Sequence, residues 1–129
     1  MLQDPLNDAL TAIKNAEAAG LSECVIRPGS KLIGRVLVVM AEQGYVETFE
    51  PVADGRGGMF RVRLRGNINE CGVIKPRFAV KRTDFEKWEA RYLPAQDFGV
   101  LILTTTQGVM SQARAKEIGL GGKLLAFVY

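Results

Sequence analysis

Three consecutive hydroxyl side chains, Thr104, Thr105 and Thr106, form the part of the sequence best suited to binding chemistry. They follow the apolar run 100–103, which is short, contains β-branched residues and shows no polar alternation. Such a run is typical of a buried strand. Because Gly108 then interrupts the pattern, we expect the hydroxyls at the end of the strand, where they could meet phosphate or sugar oxygens.

The segment after the glycine has the composition of a helix. Residues 109–116 predict about two to three helical turns. The free N–H groups at the start of such a helix would add to the binding capacity of the hydroxyls. The same pattern also fits a purely structural role, in which Thr106 only caps the helix. The residues themselves leave both interpretations open.

The sequence lacks the side chains that common enzyme sites require. It has no histidine, its acidic residues do not cluster as a metal or glycosidase pair, and its glycine turn lacks the spacing of a nucleotide-binding loop. A threonine nucleophile would need a base, for which Lys123 is only a formal candidate. Cys24 and Cys71 are far apart and predict structural thiols in a reducing compartment. We expect no catalysis, no metal and no cofactor.

No segment is expected to enter a membrane. The longest apolar runs have only a few residues, far fewer than the roughly 20 that span a bilayer. The first four residues lack the basic and apolar pattern of a signal peptide.

Basic side chains are concentrated in the second half of the chain. The net charge is only +3, but residues 67–129 carry nine basic and six acidic side chains, whereas residues 1–44 carry four and five. Lys75, Arg77, Lys81 and Arg82 follow one another without an intervening acid. This distribution favours a phosphate-binding patch.

A second basic group lies on a predicted strand at residues 59–65. Apolar residues alternate there with Arg61, Arg63 and Arg65, so the arginines share one face. They could belong to a solvated edge strand, which also discourages aggregation, or to a ridge that faces phosphates. The sequence leaves both interpretations open.

The elements that must position these residues form two small α/β units. Residues 1–66 predict the order helix, strand, helix, strand, strand. Asp4 and Pro5 begin the first helix and Gly20 ends it, whereas Ser30 caps the second helix and Gly44 ends it. We expect strands at residues 24–26, 45–50 and 59–65, and turns at 28–29 and 54–58.

Residues 67–129 predict the second unit. Strand pieces at 73–74 and 78–80 precede a helix that a capping box over residues 83–86 would begin. Phe85, Trp88 and Tyr92 share one face of this helix, where core packing is more common than base stacking. The threonine segment and a final strand, 123–129, complete the unit. The predicted class is α/β (α+β), with two small packed units, mixed sheets and three to four short helices.

The threonine segment carries a family resemblance. Residues 104–110 read Thr-Thr-Thr-Gln-Gly-Val-Met, and Gly121, Gly122 and an apolar strand follow. This resembles the signature of the universal ribosomal protein eight family of the small subunit, usually Ser-Thr-Ser, any residue, Gly, a β-branched residue and Met. Threonine replaces both serines here, which keeps the hydroxyls. Similar segments at 4–6, 13–15 and 29–32, and at 71–78 and 93–95 as in the archaeal or eukaryotic branch, extend the resemblance along the whole chain.

The resemblance implies a non-enzymatic, cytoplasmic constituent of the ribosome. Such a protein is a primary binder of the central domain of small-subunit ribosomal RNA (rRNA), contacts neighbouring small-subunit proteins and helps to assemble the subunit platform. It implies no membrane and no small-molecule substrate. The RNA-binding residues expected on this basis are Thr104, Thr105, Thr106 and Gly108 for shape-specific contact, Gly121 and Gly122 for close approach, Ser30, Lys31, Arg77, Lys81 and Arg82 for phosphates, and Lys14 and Asn15 on the first helix.

Two other classes of function stay open from the residues alone. An enzyme could use the threonine–glycine turn as a phosphate site, and stoichiometric binding of a nucleotide or sugar phosphate would favour it. A protein-only adaptor could use the apolar faces. Salt-insensitive binding to a protein partner, without RNA, would favour the adaptor.

Overall fold

The computed structural model describes residues 4–27, 30–53, 55, 58–95 and 98–129. Contacts between Cα atoms divide the chain into two units, Met1–Cys71 and Gly72–Tyr129. The described elements are α1 (Pro5–Ala18), β1 (Glu23–Ile26), α2 (Lys31–Glu42), β2 (Val46–Val52), β3 (Met59–Leu64), β4 (Cys71–Val73), β5 (Ala79–Val80), α3 (Phe85–Tyr92), β6 (Val100–Thr105), β7 (Gly108–Ser111), α4 (Gln112–Ile118) and β8 (Gly122–Val128). The predicted α+β class is confirmed.

Both helices of the first unit begin at the predicted caps. The Asp4 carboxylate accepts a hydrogen bond from the N–H of Asn7 at 3.1 Å, and Pro5 occupies the first helical position. The Ser30 hydroxyl accepts one from the N–H of Ile33 at 3.2 Å. Each helix buries one apolar face, formed by Leu6, Ala9, Leu10, Ile13 and Ala16 in α1 and by Ile33, Val36, Leu37, Val39 and Met40 in α2.

The sheet of the first unit is antiparallel and has the order β1-β3-β2. Phe60, Val62 and Leu64 of β3 are buried and the arginines between them are exposed, as their alternation predicts. Because β3 is the central strand, the interpretation of the arginine row as part of an edge strand is wrong. Arg61 and Arg63 lie instead in the middle of an exposed sheet face, and Arg65 follows the end of β3.

The second unit contains a five-stranded sheet with the order β4-β8-β6-β7, in which β5 also pairs with β8. Every pairing whose register is described is antiparallel, so the mixed strand directions expected from the sequence are not observed there. The apolar run 100–103 is fully buried in β6, as predicted. This strand lies between β8 and β7 and brings the threonines to the end of the sheet.

After the threonines the chain forms a strand, and the helix predicted from Val109 is wrong at its start. β7 pairs with β6 over four residue pairs, and α4 begins only at Gln112. The N-cap of α4 is Ser111, whose hydroxyl accepts the N–H of Arg114 at 3.2 Å, so Thr106 caps no helix. Short apolar segments pack equally well in a strand or a helix, and pairing with β6 decides the outcome here.

The helix α3 is present, but its predicted capping box does not form. The N-cap is Asp84, and its side chain makes no capping hydrogen bond. Phe85 and Trp88 are buried in the apolar core of the second unit, and Tyr92 packs against that core. The interpretation of these aromatic residues as core side chains is therefore confirmed.

Some sequence predictions fall outside the described residues. The turn at 28–29 does so completely, and the loop at 54–58 does so at positions 54, 56 and 57. Within the described ranges, none of the helices has the length and apolar character needed to cross a bilayer.

Candidate nucleic-acid interface

The three threonines and Gly108 lie at the tip of the β6–β7 hairpin. Thr105 pairs with Gly108, and the two residues between them form the turn. The Thr105 hydroxyl donates to the carbonyl oxygen of Gly108 at 2.9 Å and accepts the N–H of Gln107 at 3.0 Å. Gly108 has a φ of +112°, a conformation that favours glycine. The Thr105 hydroxyl therefore already closes the turn.

The other two threonines present their hydroxyls differently. Thr104 is half-buried on β6, opposite Val109 and Lys123, whereas Thr106 is exposed at the tip. Neither hydroxyl has a hydrogen-bond partner among the residues that the structure describes. These two groups can donate to or accept from a ligand without breaking a bond within the chain.

Gly121 and Gly122 lie beside the hairpin for a reason internal to the fold. A Cβ atom on Gly121 would lie 2.3 Å from the carbonyl oxygen of Val80, and one on Gly122 would lie 2.2 Å from that of Thr104. Real Cβ atoms do not approach so closely, so both glycines allow backbone segments of the same unit to meet. A Cβ on Gly108 would point into open space. Among these three glycines, Gly108 leaves room for an external ligand at its missing side chain.

Exposed cations lie on the segments that meet at this end of the sheet and on the segment that precedes β5. Lys81 and Arg82 lie against Gly121 through their backbone, and Lys123 stands opposite Thr104. Arg77 lies in the segment between β4 and β5. All four side chains are exposed, and none forms an ion pair within the described part of the chain. Such cations are available to bind phosphates.

We call this assembly the hairpin end: residues 104–108, residues 121–123, Lys81 and Arg82. The fold joins three segments that are distant in sequence, and most of the predicted binding residues of the second unit belong to it. Lys123 was not predicted to bind RNA. Its position directly after Gly121 and Gly122 is the sequence signal that could have identified it. The β6–β8 ladder places it opposite Thr104.

The predicted helix N-terminus at the hairpin end does not exist. The first N–H groups of α4 follow Ser111, four residue pairs away along the hairpin from the turn. Binding at the turn would therefore use hydroxyls, turn backbone and cations, without a helix dipole. A phosphate-binding enzyme site at the turn would therefore lack the N–H groups of a helix N-terminus.

The candidate residues of the first unit are in two places. At the start of α2 the Ser30 hydroxyl caps the helix, and Lys31 is exposed beside it. On α1 Asn15 is exposed, and the Lys14 ammonium lies 2.6 Å from the Glu70 carboxylate. A phosphate would have to compete with Glu70 for Lys14.

Carboxylates on the neighbouring strands largely neutralise the exposed arginines of β3. Arg61 lies 3.4 Å from Glu50 on β2, and Arg63 lies 3.2 Å from Glu23 on β1. Arg65 is exposed and has no ion pair within the described ranges. We call these five side chains the arginine face.

The titratable groups among the described residues give no sign of a metal or redox centre. In the described ranges, no group of three or more histidine, cysteine, aspartate or glutamate side chains could hold a metal ion. Both cysteines are free. Burial, with a smaller effect of Glu17, raises the pKa of Cys24 to about 11. Burial and the nearby Glu70 raise the pKa of Cys71 to about 12, so both thiols are protonated at neutral pH.

Comparison with known proteins gives a consistent result. A family model described as Ribosomal protein S8 matches residues 4–129. The chain is 56% identical over 129 residues to the small ribosomal subunit protein uS8 of Picrophilus torridus, with both chains fully covered. It is 59% identical to the protein of the same name from Methanococcoides burtonii, covering all of this chain and 99% of the relative. The protein of that name from Thermoplasma acidophilum is 56% identical, again with full coverage of both chains.

Proposed function

The chain belongs to the ribosomal protein S8 family, and from this membership we propose that it is a primary rRNA-binding protein of the small ribosomal subunit. As a family member it is a structural constituent of the ribosome, and the family is not one of enzymes. The proposal is that it binds the central domain of small-subunit rRNA and helps to assemble the platform of the subunit in the cytoplasm. Neighbouring small-subunit proteins would be its other partners.

The observation that supports this proposal most directly is the composition of the hairpin end. It combines an open backbone at Gly108 with the hydroxyls of Thr104 and Thr106 and the cations of Lys81 and Arg82, and none of these four side chains has a partner among the described residues. RNA is recognised largely through its backbone, its 2′-hydroxyls and the shape of its irregular helices. Short hydroxyl side chains and bare backbone can approach such features closely, while cations attract the phosphates.

The proposed contacts differ in kind between the two units. In the second unit, Thr104, Thr106 and Gly108 would read shape, and Arg77, Lys81 and Arg82 would hold phosphates. In the first unit, Lys31 beside Ser30 and Asn15 beside Lys14 would make additional contacts. Their weight is expected to be smaller, because Ser30 and Lys14 already have partners within the chain.

Footprinting of the purified chain on small-subunit rRNA tests the proposal. We expect one discrete protected helix in the central domain, with protection that weakens as salt increases. A variant with Arg77, Lys81 and Arg82 changed to Gln serves as the control and should lose the protection. Uniform weak protection along the rRNA would overturn the proposal, as would salt-insensitive binding to a ribosomal protein without any RNA footprint.

A further inference from the structure

One buried polar side chain, Gln112, connects β6 to the start of α4. Its side-chain oxygen accepts the backbone N–H of Leu101 at 2.8 Å. Leu101 is completely buried, and Gln112 is only 7% exposed. The N–H of Leu101 therefore has no access to water if this bond is lost.

The position of Gln112 explains why a side chain makes this bond. The β6–β7 ladder ends at the pair Ile102 and Ser111. The next residue of β7 would lie opposite Leu101, but the chain enters α4 at Gln112 and no strand backbone is left to pair there. The Gln112 amide continues the ladder by one hydrogen bond, while Ser111 caps the helix.

The hairpin is thus held by side-chain hydrogen bonds at both ends. Thr105 closes the turn at the tip, and Gln112 holds the base, four residues further along each strand. At roughly 3.4 Å per residue, Gln112 lies about 14 Å from the turn. Since it is also buried, it cannot itself contact an RNA bound at the tip.

We infer that Gln112 is a positioning residue for RNA binding: its hydrogen bond to Leu101 fixes the β6–β7 hairpin in the orientation that RNA recognises. This inference rests on the proposed function and assigns a role to a residue outside the binding surface. A preorganised hairpin loses less conformational freedom on binding, and this difference raises its affinity for RNA.

The decisive variant is Gln112→Met, which keeps the length of the side chain and removes its acceptor. We expect the Leu101 amide to exchange faster with solvent hydrogen, and the rRNA affinity to fall about tenfold. The slope of log affinity against log salt should stay unchanged, because no cation is removed. Gln112→Glu keeps an oxygen acceptor in both protonation states and should restore most of the affinity.

The matched control is Ala115→Gly. Ala115 is fully buried in α4, so this change destabilises the same helix without touching the Leu101 bond. The inference is overturned if Gln112→Met binds rRNA as tightly as Ala115→Gly at equal stability. If the Met variant does not fold, Gln112→Asn, which withdraws the amide by one methylene, must show the same selective loss of affinity. Failure of the wild-type chain to bind rRNA would instead refute the proposed function.

Discussion

The hairpin end and the arginine face both present basic side chains, but their surroundings differ. On the arginine face, the antiparallel register places Glu23 opposite Arg63 and Glu50 opposite Arg61, and each pair forms an ion pair. At the hairpin end, Lys81 and Arg82 have no carboxylate partner among the described residues. The comparison shows that the availability of charge depends on strand register as well as on the number of basic residues.

The largest expected loss of stability comes from a variant that disrupts the hairpin end and leaves the arginine face intact. Gly122→Ala would place a Cβ about 2.2 Å from the Thr104 carbonyl oxygen, and we expect it to lower the free energy of unfolding by about 3 kcal/mol. The measurement is a chemical denaturation curve. The control, Gly119→Ala, has a positive φ but open space around its Cβ, so it should cost only about 1 kcal/mol. Equal losses for the two variants would contradict the close approach.

Exchanging cations tests the comparison directly. Changing Lys81, Arg82 and Lys123 to Gln should weaken rRNA binding by about tenfold or more, and the salt slope should fall by about 0.7–0.9 for each lost phosphate contact. Changing Arg61, Arg63 and Arg65 to Gln removes the same charge from the arginine face and should leave affinity nearly unchanged. Filter-binding titrations at several salt concentrations measure both. A larger loss from the second triple variant would reverse the assignment.

The response to alkali should also distinguish the units, because both cysteines lie in the first one. The folded pKa of Cys71, about 12, lies above its ordinary value of 9.0. Its contribution to stability is therefore complete below pH 9 and is lost as the pH rises towards 12, at about 1.4 kcal/mol per pH unit. Denaturation curves between pH 9 and 10 measure this slope. Burial also raises the pKa of Cys24 to about 11, so Cys24 adds a loss of stability over the same pH range. Cys71→Ala should therefore reduce the slope without abolishing it, and an unchanged slope in that variant would contradict the prediction.

The threonines allow a finer test within the hairpin end. Thr105→Val removes the hydroxyl that closes the turn, so stability should fall by about 1 kcal/mol. Thr106→Val should leave stability unchanged and lower rRNA affinity about fivefold, because this hydroxyl has no hydrogen-bond partner within the described ranges and can bind RNA. Melting temperature and affinity are measured on both variants. Loss of stability in Thr106→Val with unchanged affinity would refute its role as a contact.

The smallest expected effect comes from removing the carboxylates of the arginine face. Glu23→Gln and Glu50→Gln together remove the carboxylates that hold Arg63 and Arg61. Exposed ion pairs contribute little to stability, so the free energy of unfolding should change by less than about 1 kcal/mol. Non-specific RNA affinity should rise about twofold to fivefold at low salt. No change in affinity would show that the ion pairs with Glu23 and Glu50 are not what prevents these arginines from binding RNA.

Much of the secondary structure follows from local sequence. Asp4 and Ser30 begin the two helices of the first unit because their side chains cap free N–H groups nearby in the chain. The alternation along β3 and the continuous apolar run of β6 predicted which side chains would be buried. The end-to-end resemblance identified the family, whereas the binding role of the threonine–glycine segment stays a prediction.

Tertiary structure decided the rest. The start of α4 moved from Val109 to Gln112 because pairing with β6 outweighs the weak helical preference of three residues. The role of Thr105 depends on a turn that only this pairing creates. The charges of Arg61 and Arg63 are neutralised by carboxylates 11 and 40 residues away in the chain. Sequence spacing specifies contacts along one helix or strand, but contacts between strands exist only once the register of the sheet is set.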